Sequence, residues 1–354
     1  MQPEYIISDE QSKRLNILKL LMALFVVYIH SNLLNILTLA TPPRWFELLK
    51  YTVSGLISQC AVSCFFLMAS IFLYSKDFKW KDNITAKCKS LLVPYFILNT
   101  VGIAIFAVCQ SIPQTAVFFN NANNIVAGFS VYRWFQAYGI GAEYPFLFPL
   151  WFLRNLFILN LLAPVLKFLI DRFPKVSLVI IISLYFLFPT MNYYMRTADL
   201  MMWCFGYLIV KYRIDIDKLD DNKWIPIIYI TTIITCLILK DCNIGVLSTV
   251  LERFRLVISI ILWYSCFTKN YNGALQRLFQ KYSKYNFGIY IFHDLPLEFA
   301  IIMIARFLGT GIYIQVLEFI LLPLITVTFV IIFCIALKKA APKLFSLLTG
   351  ARVQ

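Results

Sequence analysis

Long apolar runs, separated by short polar stretches, make up most of the 354-residue chain. An α-helix needs about 20 apolar residues to cross a bilayer, and several of these runs reach that length. We interpret ten runs as transmembrane helices, at residues 15–38, 52–74, 91–109, 148–169, 176–191, 198–210, 225–239, 245–267, 286–308 and 312–337. The pattern therefore predicts an all-α, polytopic membrane protein in which a single membrane domain covers residues 1–354.

The composition and the placement of charge support a membrane protein with defined orientation. Hydrophobic residues make up 60% of the chain and charged residues only 14%, whereas soluble domains carry about 25% charged residues. The net charge of +14 does not indicate a nucleic-acid partner, because the basic residues lie mostly in short loops between apolar runs. Most of these loops fall on one side when both termini are cytoplasmic, which also requires an even number of spans.

The nine cysteines are scattered, mostly within apolar runs, and show neither CxxC pairs nor zinc-ligand spacing. We interpret them as small buried hydrophobic residues and expect no disulfide framework. Because the chain has only two histidines, we also expect no metal site.

The one long loop, at about residues 110–148, is predicted to lie outside and is rich in amides and aromatic rings. It contains the run Asn120–Asn124, followed by Tyr132, Trp134 and Tyr138. Aromatic rings stack on sugar faces and amides bond hydroxyl groups, so the composition suits carbohydrate recognition. An ordinary interfacial aromatic belt explains the same composition.

His30 lies within the first apolar run, where an ionisable side chain is costly unless it faces protein or water. Lys19 precedes it by about three helical turns, so both project from one helix face, about 16 Å apart. Lys19 then lies near the cytoplasmic surface and His30 towards the outer half of the membrane. We expect an anionic donor at the basic end and His30 as general base on a hydroxyl. The alternatives are a structural hydrogen bond for His30 and a lysine that extends to the membrane surface.

Charged residues near the outer ends of two other runs are candidates for an acceptor site. Trp151 and Arg154 begin the fourth run, and Arg154 needs a partner such as Glu143, Glu252 or substrate. Glu252 and Arg255 are spaced to meet on one face of the eighth helix. Alternatively, these side chains are interfacial anchors.

His293 and Asp294 are predicted to lie about two turns into the ninth helix from its cytoplasmic end. Adjacent residues project in different directions on a helix, so their proximity in sequence does not indicate a His–Asp dyad. We expect His293 either to help bind the donor or to make a structural hydrogen bond.

Five segments together resemble the acyltransferase-3 family of integral membrane acyltransferases. The first span resembles the family's opening, in which ten residues separate a basic residue from a histidine, here Lys19 and His30. The other segments are AVSCFFLMASIFLY at 61–74, KCKSLLVPYF at 87–96, PLWFLRNLF at 149–157 and GIYIFH at 288–293. Asn16 departs from the family pattern, where an aspartate is usual, and Ala69 and Ser70 stand where a Ser-Gly pair is common.

The resemblance implies transfer of an acyl group, often acetyl from acetyl-CoA, to a hydroxyl of a surface glycan or a similar acceptor. It also implies that the histidine of the first helix is the key catalytic residue, that its basic partner is important for the donor, and that the membrane is the bacterial cytoplasmic membrane.

The sequence thus predicts a ten-helix acyltransferase that takes acyl-CoA from the cytosol and has no permanently bound cofactor. Its expected partners are acyl-CoA, a carbohydrate acceptor and membrane lipid. The expected site residues are His30 and Lys19 for catalysis, Arg14, Lys19, Lys87 and His293 for the donor, and Trp151, Arg154, Glu143, Glu252 and Arg255 for the acceptor.

The alternative is a transporter or flippase of a glycan precursor or a small organic anion, in which the same buried charges bind the cargo. Transporters of this kind often show paired repeats and broken helices at corresponding positions, and we find neither pattern in the sequence.

Overall fold

A computed structural model describes residues 5–31, 42–119, 125–141, 144–188, 190–192, 195–241 and 245–350. These residues are helical apart from turns, loops and one short antiparallel hairpin, formed by β1 (Thr190–Asn192) and β2 (Met195–Arg196). The predicted helical fold is therefore confirmed, with the hairpin as its small exception.

The helices before the hairpin are α1 (Asp9–Ser31), α2 (Arg44–Lys50), α3 (Cys60–Tyr74), α4 (Trp80–Lys87), α5 (Val93–Ser111), α6 (Pro113–Phe119), α7 (Val131–Ala137), α8 (Trp151–Arg172) and α9 (Pro174–Leu187). Those after it are α10 (Thr197–Lys211), α11 (Trp224–Asp241), α12 (Gly245–Leu262), α13 (Ala274–Tyr282), α14 (Asn286–Phe292), α15 (Asp294–Leu308), α16 (Ile312–Ala340) and α17 (Pro342–Leu348). Short π-helical segments lie at Tyr51–Ile57, Cys88–Leu92 and Trp263–Phe267, and 3₁₀ turns at Val126–Gly128, Phe148–Leu150, Ile216–Leu219 and Ser283–Tyr285.

Within the described residues, five helical stretches are long and apolar enough to cross a membrane. They are Asp9–Ser31, Arg44–Tyr74, Trp80–Ser111, Phe148–Arg172 and Ile312–Ala340. A sixth candidate combines Ala274–Phe292 with Asp294–Leu308, which meet at a bend of 65°. These stretches identify a multi-pass membrane protein, while the number of ten spans stays a prediction.

The ninth predicted helix differs most from expectation, because it is broken at His293 into α14 and α15. Pro296 accounts for the break: it has no N–H to donate, and its ring crowds the carbonyl one turn earlier. Broken helices at membrane depth are tolerated where protein surrounds them or where they line a cavity.

α1 packs centrally, in contact with α3, α13, α14, α15 and α16. Its buried residues lie all around the helix, from Arg14 to His30. This position explains why α1 carries polar residues that would be costly on a lipid-facing helix.

α3 and α10 cross closely at Gly206. A Cβ atom at Gly206 would lie 2.6 Å from the carbonyl oxygen of Leu67 and 2.7 Å from the Cβ atom of Ser70. Ser70 occupies the place of the glycine that is common in the family. Here the small residue that lets the helices approach is on the partner helix.

Candidate functional site

His30 is paired with Asp294, 264 residues later in the chain. The Nδ1 atom of His30 lies 3.0 Å from the Oδ1 atom of Asp294. A carboxylate can only accept a hydrogen bond, so the hydrogen of the neutral ring is assigned to Nδ1 and Nε2 is left as a base. His30 itself is 7% exposed, and this pairing orients its ring inside the helix bundle.

The break between α14 and α15 places Asp294 for this contact. Asp294 is the first residue of α15, where the positive end of the helix dipole favours a negative charge. On an unbroken helix, Asp294 would follow the direction of α14 instead. In the sequence, the adjacent His293 and Asp294 and the family-like segment 288–293 marked this region, but neither feature indicated that Asp294 faces His30.

His293 also lies beside His30, with ring centroids 4.7 Å apart. Its Nδ1 atom lies 3.0 Å from the carbonyl oxygen of Ile289 and 2.9 Å from that of Tyr290. The structure therefore brings His293 to the catalytic candidate His30. Donor binding by His293 stays a prediction. His293 lies beside His30, however, and does not line the cavity that holds the lysines.

A cavity of about 620 Å³ lies beside Lys19, eleven residues before His30 on α1. Four lysines and two aspartates line it, together with aromatic and aliphatic side chains, and the lysines are Lys19, Lys76, Lys79 and Lys87. The volume lies within the usual range of small-molecule sites. The positive excess favours an anionic ligand with an apolar portion.

Lys19 has no ion pair among the described residues. Its ammonium donates to the Oδ1 atom of Asn16 at 3.0 Å and lies 4.3 Å from the centroid of the Phe72 ring. Asn16 therefore positions the lysine without neutralising its charge. An aspartate, the usual residue of the family at this position, would neutralise that charge. The departure from the family pattern leaves Lys19 available to an anion.

Two elements connect this cavity to the histidines. α1 runs from Lys19 to His30, and α14 runs from Asn286 and Tyr290 in the cavity wall to its C-cap, His293. A second, otherwise apolar cavity of about 340 Å³ includes Asp294 in its lining. Asp294, the partner of His30, thus borders this second cavity.

Aromatic residues from the loop before α8 also lie beside His30. The Phe148 ring centroid is 5.4 Å from that of His30 and 4.5 Å from that of Tyr144. Trp151 is close to Tyr144, with centroids 6.4 Å apart, and lies beneath Arg196. Trp151 therefore belongs to an aromatic group that reaches the catalytic candidate.

Arg154 donates to the carbonyl oxygen of Gly139 at 2.9 Å and to the Oδ1 atom of Asn155 at 3.2 Å. The first of these contacts holds the turn after α7 against α8. Glu143, one of the partners that we predicted for Arg154, lies outside the described residues.

Glu252 and Arg255 have different partners. Glu252 accepts hydrogen bonds from Tyr51 and Ser248. Arg255, which is 2% exposed, donates to the carbonyl oxygen of Leu56. Both residues tie α12 to the π-helical segment Tyr51–Ile57, and their predicted role in acceptor binding stays a prediction.

Arg14, predicted to bind the donor, is fully engaged by protein groups. It forms ion pairs with Asp217 and Asp220, each at 2.6 Å, donates to Thr268 and stacks on the Tyr264 ring. These partners anchor α1 to the segment between α10 and α11, and donor contact by Arg14 would require this cluster to open.

The described residues include one group that could hold a metal ion, formed by His30, His293 and Asp294. One potential ligand atom from each residue lies within 4.8 Å of those of the other two. Two imidazoles and a carboxylate suit a divalent transition metal. The hydrogen bond between His30 and Asp294 engages two of these three ligands, and our expectation of no metal stays a prediction.

A cavity and a buried His–Asp pair are two of the features by which a candidate active site is recognised, and here both occur in a multi-pass helical bundle. The family profile described as "Acyltransferase domain" matches residues 12–339, so the chain belongs to the acyltransferase-3 family. Membership in this family implies acyltransferase activity.

Among curated proteins, the succinoglycan biosynthesis protein ExoH of Rhizobium meliloti (strain 1021) is 22% identical over 223 residues. The similarity covers 59% of this chain and 56% of that protein, so the chain matches little more than half the length of this relative. No solved structure matches the chain.

Proposed function

We propose that this protein transfers an acyl group, preferably acetyl, from cytosolic acyl-CoA to a hydroxyl of a cell-surface or lipid-linked carbohydrate. The observation that carries the proposal is the His30–Asp294 pair, whose histidine lies on the same central helix as Lys19, a residue of the basic cavity wall. The relation to a protein of succinoglycan biosynthesis supports a carbohydrate acceptor.

His30 acts as general base in this proposal. The acceptor oxygen forms a bond to the thioester carbonyl carbon, its proton moves to Nε2 of His30, and the C–S bond breaks. The proton then passes to the sulfur of the departing CoA. Asp294 holds the ring with its hydrogen on Nδ1 and stabilises the imidazolium that forms.

The basic cavity binds the phosphates of the donor. Lys19 and Lys87 both line this cavity, and Lys19 carries a charge that no carboxylate of the described residues neutralises. The donor enters from the cytosolic side, where the positive-inside rule places the lysine-rich loop 76–89. We propose ten spans in this orientation, which places both termini in the cytoplasm of a bacterial cell.

The test is acyl transfer from labelled acetyl-CoA to glycan acceptors in membranes that contain wild type, His30→Ala or Lys19→Ala. We expect His30→Ala to lose at least 100-fold in rate and Lys19→Ala to require more acetyl-CoA. Full activity of His30→Ala would contradict the assignment of the base. Glycan movement without any use of acetyl-CoA would favour the transporter alternative.

A further inference from the structure

His293 carries a buried ring nitrogen that the proposed reaction does not use. Its Nδ1 atom faces the carbonyl oxygens of Ile289 and Tyr290, so the hydrogen of the neutral ring is on Nδ1 and Nε2 is an acceptor. His293 is 0% exposed, and its Nε2 has no hydrogen-bond partner among the described residues. Buried acceptors without a donor are unfavourable and call for an explanation.

His30 presents a second acceptor in the same place. Its Nδ1 faces Asp294, which leaves the Nε2 lone pair free for the reaction. One nitrogen of each ring and a carboxylate oxygen of Asp294 lie within 4.8 Å of one another. The two ring centroids lie 4.7 Å apart, so the two Nε2 acceptors belong to neighbouring rings, and a single hydroxyl has only one hydrogen to share between them.

We propose that Nε2 of His293 accepts a hydrogen bond from a second hydroxyl of the acceptor, adjacent to the hydroxyl that His30 deprotonates. The preferred acceptor is then a vicinal diol, the arrangement that carbohydrates carry, and the product is its monoester. The inference rests on the proposed function, because it takes His30 as the base. It makes His293 a specificity-determining residue that contacts the acceptor rather than the donor.

The reaction balances without a further reactant. The attacking hydroxyl loses its proton to His30, the new C–O bond forms and the C–S bond breaks. The second hydroxyl keeps its hydrogen and only donates it to His293. The diol is thereby held by two hydrogen bonds, and the reacting oxygen is selected by its position next to His30.

The experiment compares acceptors that differ by one hydroxyl. Membranes that contain the full chain receive labelled acetyl-CoA with methyl glucoside, methyl galactoside or methyl mannoside, and with the monodeoxy forms of each. In wild type, loss of the hydroxyl next to the acylated position should lower kcat/KM about 10-fold or more. In His293→Phe the same loss should change kcat/KM by less than about twofold, because the partner nitrogen is gone.

Two further variants separate hydrogen bonding from packing. His293→Gln retains an acceptor oxygen and should keep part of the discrimination. Phe148→Leu alters another ring beside His30, and the Phe148 ring has no hydrogen-bonding atom. This variant should keep the full discrimination between the two acceptors. Each ratio compares two acceptors on one protein, so partial loss of folded protein does not change it.

Equal discrimination by wild type and His293→Phe would overturn this inference while leaving the proposed function intact. Discrimination absent from wild type would also overturn it, since a water molecule would then satisfy the nitrogen. No transfer from acetyl-CoA to any of the acceptors would overturn the proposed function and, with it, the inference.

Discussion

At the residue scale, the pairing of Asp294 with His30 sets the tautomer of the histidine that we propose as the base. Asp294→Asn keeps the size of the side chain but lets an amide N–H face Nδ1, which favours hydrogen on Nε2. We expect kcat to fall by about 10² to 10⁴ with little change in KM for acetyl-CoA. Steady-state kinetics in membranes will measure both constants.

Glu298→Gln is the matched control for Asp294→Asn, because Glu298 is another carboxyl on α15, one turn further on. This control should keep kcat within about threefold. Similar losses in both variants, or unchanged kcat in Asp294→Asn, would contradict the role of Asp294.

Asn16 gives a second prediction at this scale. Asn16→Asp places a carboxylate 3.0 Å from the Lys19 ammonium, where the amide oxygen is now. The new ion pair would compete with the phosphates of the donor, so KM for acetyl-CoA should rise about 3- to 10-fold with kcat unchanged. The rise should be smaller at high salt.

Asn16→Ser is the neutral control, since it removes the amide without adding charge, and its KM should rise less than that of Asn16→Asp. A lower KM in Asn16→Asp would show that the carboxylate helps the donor, and the proposed use of the uncompensated charge would be wrong.

At the element scale, the fold depends on close helix crossings as well as on apolar length. Gly206→Ala would bring a Cβ atom to 2.6 Å from the Leu67 carbonyl oxygen, so α3 and α10 must separate. We expect a loss of about 1–3 kcal/mol in the free energy of unfolding. Thermal unfolding in detergent will show it as a lower Tm.

Gly128→Ala is a suitable control for this crossing, because among the described residues, apart from its two chain neighbours, no atom lies within 4 Å of a Cβ at that position. Its Tm should match that of wild type. Equal Tm values for the two variants would contradict the close contact between α3 and α10 at Gly206.

At the scale of the whole molecule, Arg14 connects the start of the central helix to the segment between α10 and α11. Arg14→Met would leave Asp217 and Asp220 without their cation and should cost about 3 kcal/mol in the free energy of unfolding. Lys13→Met, at the exposed neighbouring residue, should cost less than about 0.5 kcal/mol. Unfolding in detergent will compare the two, and equal stability would contradict the anchoring role.

The sequence by itself determined the class of the molecule and part of its site. Apolar length and low charge are enough to specify membrane helices, because the cost of placing backbone and charge in lipid depends on local composition. Lys19 and His30 could be placed on one face because a helix has a fixed period. The family segments then indicated the acyl chemistry, and the profile match confirmed the family.

Only the tertiary structure decided which polar residues meet. Asp294 reaches His30 because Pro296 breaks the ninth helix and because α14 and α15 pack against α1. The two residues are 264 positions apart in the chain. The same packing buries His293 beside His30, and the packing of the segment between α10 and α11 against α1 places Arg14 in an ion-pair cluster. Helical period gives the direction of a side chain on its own helix, but its partner depends on how separate helices pack, which no local pattern encodes.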